Sequence, residues 1–219
     1  MKRPEQPRSH KYRQLLFVLI LVFSVSPFLQ SGIGRIVTTL LLLYTIMVII
    51  YSFTLPKLQL YLYIVIAVMA ACLEVCASLG WIPRLNQTFA VISQVIFAAY
   101  LSGAAYWIGR DIFRTPKVTL DTVRGGISVY MLIGFVWALL YGIVSTLDPY
   151  AFSKPLVQQH SFLKALHFSF TTLTTLGYGD IVPVSEIALI LTNLEAIIGQ
   201  MYVTVFIAIV VGGYLLQQR

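Results

Sequence analysis

Long apolar segments dominate this chain and restrict what it can fold into. Ile36–Leu55, Thr88–Ile108 and Ile127–Thr146 contain no charged residue. A helix needs about 20 mostly apolar residues to cross a bilayer, and these segments reach that length. The whole chain is 58% hydrophobic and 11% charged, whereas a soluble domain has about a quarter of its residues charged. We therefore expect an all-α integral membrane protein.

Hydropathy and periodicity together predict six transmembrane helices. The first is short and contains Pro27, and its basic prelude followed by an apolar run also fits a secretory signal peptide. We interpret it as a retained helix, because a proline directly after the cut makes a poor cleavage site. The predicted spans are Leu15–Gln30, Ile36–Leu55, Leu58–Gly80, Thr88–Ile108, Ile127–Thr146 and Ile187–Leu216.

The basic residues predict the orientation of these spans. An even number of spans places both termini on one side of the membrane, and eleven lysines and arginines fall on that side. The positive-inside rule then makes the termini cytoplasmic in a multi-pass protein of the cell membrane. The net charge of +7 does not indicate a nucleic-acid partner, because the basic residues lie in short gaps between apolar runs. Four basic residues fall on the other side: Arg35, Arg84, Lys154 and Lys164.

The segment between the last two spans, Leu147–Glu186, is much longer than the other connections. It begins with a polar stretch and continues as an amphipathic segment, Ser161–Thr174, that is too short to cross a bilayer. A glycine-rich turn follows. This order is typical of a re-entrant helix and loop, which we therefore predict between spans five and six.

The glycine-rich turn has the sequence TTLGYGD, Thr174–Asp180. Left-handed backbone angles cost a residue with a Cβ roughly 1–2 kcal/mol and cost glycine almost nothing. Gly177 and Gly179 therefore allow alternate residues to turn so that successive carbonyls point toward one axis. A ring of such carbonyls can replace the hydration shell of a cation. Thr175 adds a hydroxyl oxygen, and Tyr178 can brace the loop through its ring and hydroxyl.

This segment closely resembles the signature sequence of potassium channels, and we call Thr174–Asp180 the filter loop. The family usually has valine or isoleucine at the position of Leu176, a conservative difference because that side chain only packs. The resemblance implies a potassium-selective channel subunit whose permeant ion is K+. The residues that it assigns to ion selectivity are Thr175, Leu176, Gly177 and Tyr178, whose carbonyls would bind K+ together with the Thr175 hydroxyl, and Gly179 and Asp180 at the outer mouth.

The resemblance also predicts how the chain is organised and assembled. One filter motif occurs without an internal repeat, so other chains must complete the ring. Three further copies of this subunit, forming a homotetramer, are the simplest solution, and heteromers stay open. The predicted divisions are a cytoplasmic basic tail (1–14), a four-helix transmembrane region of unknown role (15–110), a cytoplasmic linker (111–126) and a pore domain with outer helix, pore helix, filter and inner helix (127–219).

Polar residues of the predicted pore helix are candidates for supporting the filter loop. Thr171, Thr172 and Thr174 could bond the filter backbone or carbonyls of the preceding turn. Some potassium channels have a tryptophan at the position of His167. We hypothesise that His167 instead bonds Asp180 and makes the filter sensitive to mild acid, since histidine titrates near neutral pH. A histidine satisfied within the pore helix is the alternative.

Three residues within the spans are further candidates. Gly199 falls where many potassium channels have a glycine hinge, although glycine in membrane helices also serves close packing. Glu74 and Glu195 are carboxylates inside predicted spans, where an ionisable group is costly and is a functional candidate by default. Glu195 could turn toward the base of the pore helix or toward a neighbouring helix.

Several functions are disfavoured by what the sequence lacks. The fourth span has no lysine or arginine at every third position, so it does not predict a voltage sensor. No HExxH or GxSxG motif indicates an enzyme, and Cys72 and Cys76 lack the further ligands of a typical metal site. We expect no cofactor besides permeant K+ and no organic substrate. A non-conducting membrane sensor or regulatory subunit with a pore-like fold remains the alternative function.

Overall fold

The computed structural model describes residues 11–28, parts of 37–47, 57–79, 85–114, 118–156 and 162–218. The secondary structure of these residues is helical apart from turns, loops and one isolated bridge between Phe152 and Pro183. A short 3-10 turn at Ser26–Phe28 follows the first helix. The α-helices are α1 (Lys11–Val25), α2 (Lys57–Leu79), α3 (Asn86–Arg114), α4 (Leu120–Leu147), α5 (Phe162–Leu173) and α6 (Glu186–Gln217).

Three of the described helices, α3, α4 and α6, are long and apolar enough to cross a membrane. They coincide with the predicted spans four, five and six. Helix α2 coincides with the third predicted span, and α1 overlaps the first. The second predicted span, Ile36–Leu55, lies largely outside the described residues, so the total of six spans stays a prediction.

The predicted cytoplasmic linker 111–126 is helical over most of its length, and its position outside the membrane stays a prediction. Helix α3 continues to Arg114 and α4 begins at Leu120. The hydroxyl of Thr119 accepts a hydrogen bond from the Thr122 backbone at 3.3 Å, and the Thr119 backbone donates to the Thr122 hydroxyl at 3.1 Å. This capping box starts α4 before the apolar span begins. Hydropathy marks only the apolar part of a helix. The predicted span therefore begins at Ile127, whereas the helix begins at Leu120.

Helix α4 lies at the centre of the structure and contacts α1, α3, α5 and α6. Within its apolar stretch 61% of the residues are buried, against 11% in α6. Helix α6 contacts α4 and α5 along one line, and its buried residues are Ala188, Glu195 and Gly199. The remaining apolar faces of α6 are left for lipid or for other chains.

Helix α1 packs along α4 and links two regions of the structure. At one end the Tyr12 hydroxyl donates to Asp111 of α3 at 2.5 Å, and the Tyr12 backbone donates to Asp121 of α4 at 3.3 Å. At the other end the ring of Phe23 contacts Phe170 of α5, with centroids 4.8 Å apart. Its buried residues follow helical spacing and are Tyr12, Leu15, Val18, Leu19 and Val22. Retention of this helix stays a prediction.

Candidate functional site

Helix α5 begins and ends within one residue of the predicted pore helix Ser161–Thr174. The chain after it turns back onto its last turn. The Thr175 backbone donates to the Thr172 carbonyl at 2.9 Å, and the Gly177 backbone donates to the Thr171 carbonyl at 3.0 Å. Helix α5 and the first half of the filter loop therefore form one hydrogen-bonded unit.

The backbone of the filter loop alternates in the sign of φ. Gly177 has a φ of 54° and Gly179 a φ of 73°, as expected for the two glycines. Thr175 has a φ of 58° and is the one described residue other than glycine with a positive value. Leu176 and Tyr178 between them have negative φ. Such alternation turns successive carbonyls toward the same side of the chain, which is the arrangement that carbonyl-lined ion filters need.

The positive φ of Thr175 was not predicted, because a threonine is strained in this conformation by about 1–2 kcal/mol. Thr175 also accepts a hydrogen bond from helix α6. The side-chain amide of Gln200 on α6 donates to the Thr175 hydroxyl at 3.2 Å. Gln200 is thus a site residue that the sequence reading missed, although a polar side chain inside an apolar span was the available signal.

The residues of the filter loop are exposed in the single chain. Every residue from Thr174 to Asp180 is exposed, with Leu176 at 57% and Tyr178 at 67%. The predicted packing of the Leu176 side chain is therefore not provided within this chain. Within the described residues, the Leu176 and Tyr178 side chains are thus left largely uncovered.

At the C-terminal end of the filter loop, Asp180 lies beside His167 of α5. The imidazole Nε2 of His167 is 3.3 Å from Oδ2 of Asp180. The His167 ring also stacks on Tyr178, with centroids 5.8 Å apart and planes inclined by 8°. The predicted contact between His167 and Asp180 is thus present, and the sensitivity to acid stays a prediction.

The pore-helix threonines bond within their own helix. The Thr171 hydroxyl donates to the Phe168 carbonyl at 3.0 Å, and the Thr174 hydroxyl donates to the Phe170 carbonyl at 2.6 Å. These hydroxyls were expected to bond either the filter backbone or carbonyls of the preceding turn. They bond carbonyls of the preceding turn. Thr171 and its neighbour Thr172 support the loop through their main-chain carbonyls instead.

The chain beyond the filter loop is held by the segment that precedes α5. Residues 151–153 lie beside residues 182–184, and the Ser153 backbone donates to the Val182 carbonyl at 2.9 Å. The Ser153 hydroxyl accepts a second bond from the Val182 backbone at 3.0 Å. This short pairing anchors the chain just after the filter loop, before α6 begins.

A fully buried polar cluster lies behind α5. Oε1 of Glu195 is 2.6 Å from the Ser169 hydroxyl, and the Tyr141 hydroxyl donates to Oε2 at 2.5 Å. The Ser169 hydroxyl also bonds the Gly134 carbonyl at 2.8 Å. Glu195, Ser169 and Tyr141 are each 0% exposed. Glu195 therefore turns toward both the pore helix and the neighbouring helix α4, two arrangements that the sequence had presented as alternatives.

Gly199 lies where α6 approaches the last residue of α5. A Cβ at this position would contact the Leu173 carbonyl oxygen. The Tyr130 hydroxyl of α4 donates to the same carbonyl at 3.2 Å. This close approach accounts for the glycine by packing, and a role as a hinge stays a prediction.

Glu74 does not belong to this site. It lies on α2 and bonds the buried hydroxyl of Ser93 on α3. Cys72 and Cys76 of α2 are free thiols. Among the described residues, no group of three or more His, Cys, Asp and Glu side chains could hold a metal ion.

Comparison with known proteins identifies the part of the chain that carries the site. Residues 126–213 match the model of a protein family described as an ion channel. The match includes α5, the filter loop and most of α4 and α6. No curated protein and no solved structure matches the chain. Residues 126–213 are thus similar to an ion channel domain, and the matched family is not a class of enzymes.

Proposed function

We propose that the ion channel domain is one quarter of a potassium-selective channel that passes K+ passively across the cell membrane. The ligands of K+ in this proposal are the carbonyls of Thr175, Leu176, Gly177 and Tyr178, with the Thr175 hydroxyl. The observation that carries it is the alternating sign of φ, positive at Thr175, Gly177 and Gly179. Carbonyl rings at fixed spacing select K+ by replacing its water shell at similar cost.

The orientation of α5 supports the same function. The filter loop follows directly after its C-terminal end, where the helix macrodipole places about half a negative charge. A cation that enters the loop from this side is therefore stabilised before it loses its water. The Gln200 amide and the Thr175 hydroxyl lie at this end of the loop.

Four copies of the subunit would complete the ring. A single chain leaves the filter loop exposed and leaves most of α6 without protein contacts. Apolar faces on three sides of one helix fit a position between lipid, a central cavity and a neighbouring copy. In this arrangement both termini are cytoplasmic, and His167 and Asp180 face the outer solution.

Ion flux into proteoliposomes tests the proposal. We expect purified protein to pass K+ and Rb+ but not Na+ under matched gradients. Gly177→Ala should abolish this flux, because alanine is strained at a φ of 54° although no atom lies within 4 Å of the new Cβ. Gly103→Ala is the matched control, since Gly103 lies on α3 without positive φ and its Cβ also meets no atom within 4 Å.

The two outcomes separate the candidate functions. Selective flux lost in Gly177→Ala and retained in Gly103→Ala supports the channel. A folded parent protein that carries no K+ flux would contradict it and favour a sensor or regulatory subunit with a pore-like fold.

A further inference from the structure

The buried cluster behind α5 contains more hydrogen bonds than an ionised Glu195 can form. Three contacts link its members: Ser169 to the Gly134 carbonyl at 2.8 Å, Ser169 to Glu195 at 2.6 Å, and Tyr141 to Glu195 at 2.5 Å. Each contact needs one hydrogen between its two oxygens. The two hydroxyls together supply only two.

The acceptors determine where the third hydrogen must lie. A main-chain carbonyl can only accept, so the contact between Ser169 and Gly134 uses the serine hydrogen. The tyrosine hydrogen lies between Tyr141 and Oε2 of Glu195. The contact between Ser169 and Oε1 then has a hydrogen only if the carboxyl itself carries one.

The surroundings of the carboxyl favour the same state. Glu195 is 0% exposed, and its hydrogen-bond partners Ser169 and Tyr141 are uncharged. It lies about 14 Å along α6 from Glu186, at 1.5 Å per residue, within a helix that is long and apolar enough to cross a membrane. An unpaired ionised carboxylate is strongly disfavoured at such a position.

We propose that Glu195 is a neutral carboxylic acid that donates a hydrogen bond to Ser169 and so fixes α5 between α4 and α6. Ser169 passes the bond on to Gly134 of α4, and Tyr141 of α4 closes the cluster from the other side. Glu195 is therefore a positioning residue, because it bonds Ser169 of α5 and acts through the helix whose end carries the filter loop. This effect on conduction rests on the proposed function, whereas the protonation state does not.

Infrared difference spectroscopy of the purified protein tests the protonation state. At neutral pH the parent should show the C=O stretch of a protonated carboxylic acid that is missing from Glu195→Gln. Ser169→Ala should keep this band and shift it to higher frequency, because the acid loses its hydrogen-bond acceptor. Glu74→Gln is the control for the other intramembrane carboxyl and should leave the Glu195 band in place.

Flux measurements test the positioning role. A glutamine can donate to Ser169 through its amide and accept from Tyr141 through its oxygen, so Glu195→Gln should keep K+ flux within about twofold of the parent. Glu195→Leu leaves both hydroxyls without their partner and should lower flux at least about tenfold. Glutamine and leucine variants with equal losses of flux would overturn the positioning role.

The infrared and flux measurements can contradict the two parts of the proposal independently. A difference spectrum without the acid band, showing ionised carboxylate instead, would overturn the proposal whatever the flux. If Glu195→Gln does not fold, the frequency shift in Ser169→Ala decides the protonation state alone, and an unshifted spectrum overturns it. A parent without K+ flux would overturn the proposed function and the effect on conduction, and would leave the infrared result intact.

Discussion

The imidazole of His167 lies flat against the ring of Tyr178, 5.8 Å between centroids, while its Nε2 reaches Asp180 at 3.3 Å. One pore-helix side chain thus contacts two residues of the filter loop. The stack orients the ring, and the second contact places a titratable nitrogen beside a carboxylate at the outer end of the loop.

Acidifying the outer solution is expected to lower K+ flux. Protonated His167 adds a positive charge that offsets the attraction of Asp180 for an entering cation. The two side chains are 39% and 48% exposed, so their interaction is limited to about 0.2–1 kcal/mol and the change in flux to about fivefold at most. Flux measured in proteoliposomes from neutral to mildly acidic outer pH checks this.

His167→Phe is the matched variant for this prediction. Phenylalanine keeps an aromatic ring beside Tyr178 and removes the nitrogen that contacts Asp180. Its flux should not change over the same pH range. A variant that titrates just as the parent does would show that another group is responsible.

Gly199→Ala is expected to destabilise the protein by about 1–3 kcal/mol, because the new methyl group meets the Leu173 carbonyl and pushes α6 away from α5. Thermal unfolding in detergent measures the effect. Gly212→Ala on the same helix is the control, since its Cβ meets no atom within 4 Å, and it should be neutral or slightly stabilising. Equal losses in both variants would point to a general need for flexibility in α6.

Gln200→Leu is expected to strengthen ion binding at the inner end of the filter loop. Loss of the amide donor frees the Thr175 hydroxyl oxygen, which then interacts more fully with a cation. One hydrogen bond of about 0.5–1.5 kcal/mol corresponds to roughly a twofold to tenfold change. Block of K+ flux by internal Ba2+, a divalent ion similar in size to K+, reports this affinity.

The specificity of that effect can be checked with a double-mutant cycle. In a Thr175→Ala background, the further change Gln200→Leu should have no effect on Ba2+ block, because the hydroxyl is already absent. Additive effects of the two substitutions would mean that Gln200 acts on the ion independently of Thr175.

Leu15→Ala is expected to lower the free energy of unfolding by about 2–5 kcal/mol, because Leu15 is 0% exposed between α1 and the rest of the structure. Chemical or thermal unfolding in detergent measures this loss. Phe17→Ala, at a position that is 66% exposed, should change stability by less than about 0.5 kcal/mol. Similar values for both variants would show that α1 does not pack as described.

Local patterns in the sequence were sufficient to predict helix α5, which is followed directly by the filter loop. Helix α5 is amphipathic and is followed directly by a glycine-rich turn. The sequence alone therefore indicates which side of the helix is buried and where the helix ends. The left-handed conformation of Gly177 and Gly179 follows in the same way from the absence of a Cβ. These features depend on neighbours a few residues away.

The remaining features depend on partners that are distant in sequence. Tyr141 lies 54 residues from Glu195, and Gln200 lies 25 residues from Thr175. Hydropathy marks an intramembrane carboxyl as costly, yet it cannot show which hydroxyls approach it. The positive φ of Thr175 could not be predicted either. The conformational preference of threonine disfavours it, and the bond from Gln200 that accompanies it comes from a distant helix, α6.

The described hydrogen-bond partners of Glu195 belong to its own chain, and they precede it in the sequence. Tyr141 and Ser169 are therefore already synthesised when Glu195 leaves the ribosome, and the carboxyl can be shielded as α6 enters the bilayer. No second copy is needed to complete this polar cluster. This cluster can therefore form while a single subunit inserts, before the association with further copies that the proposed function requires.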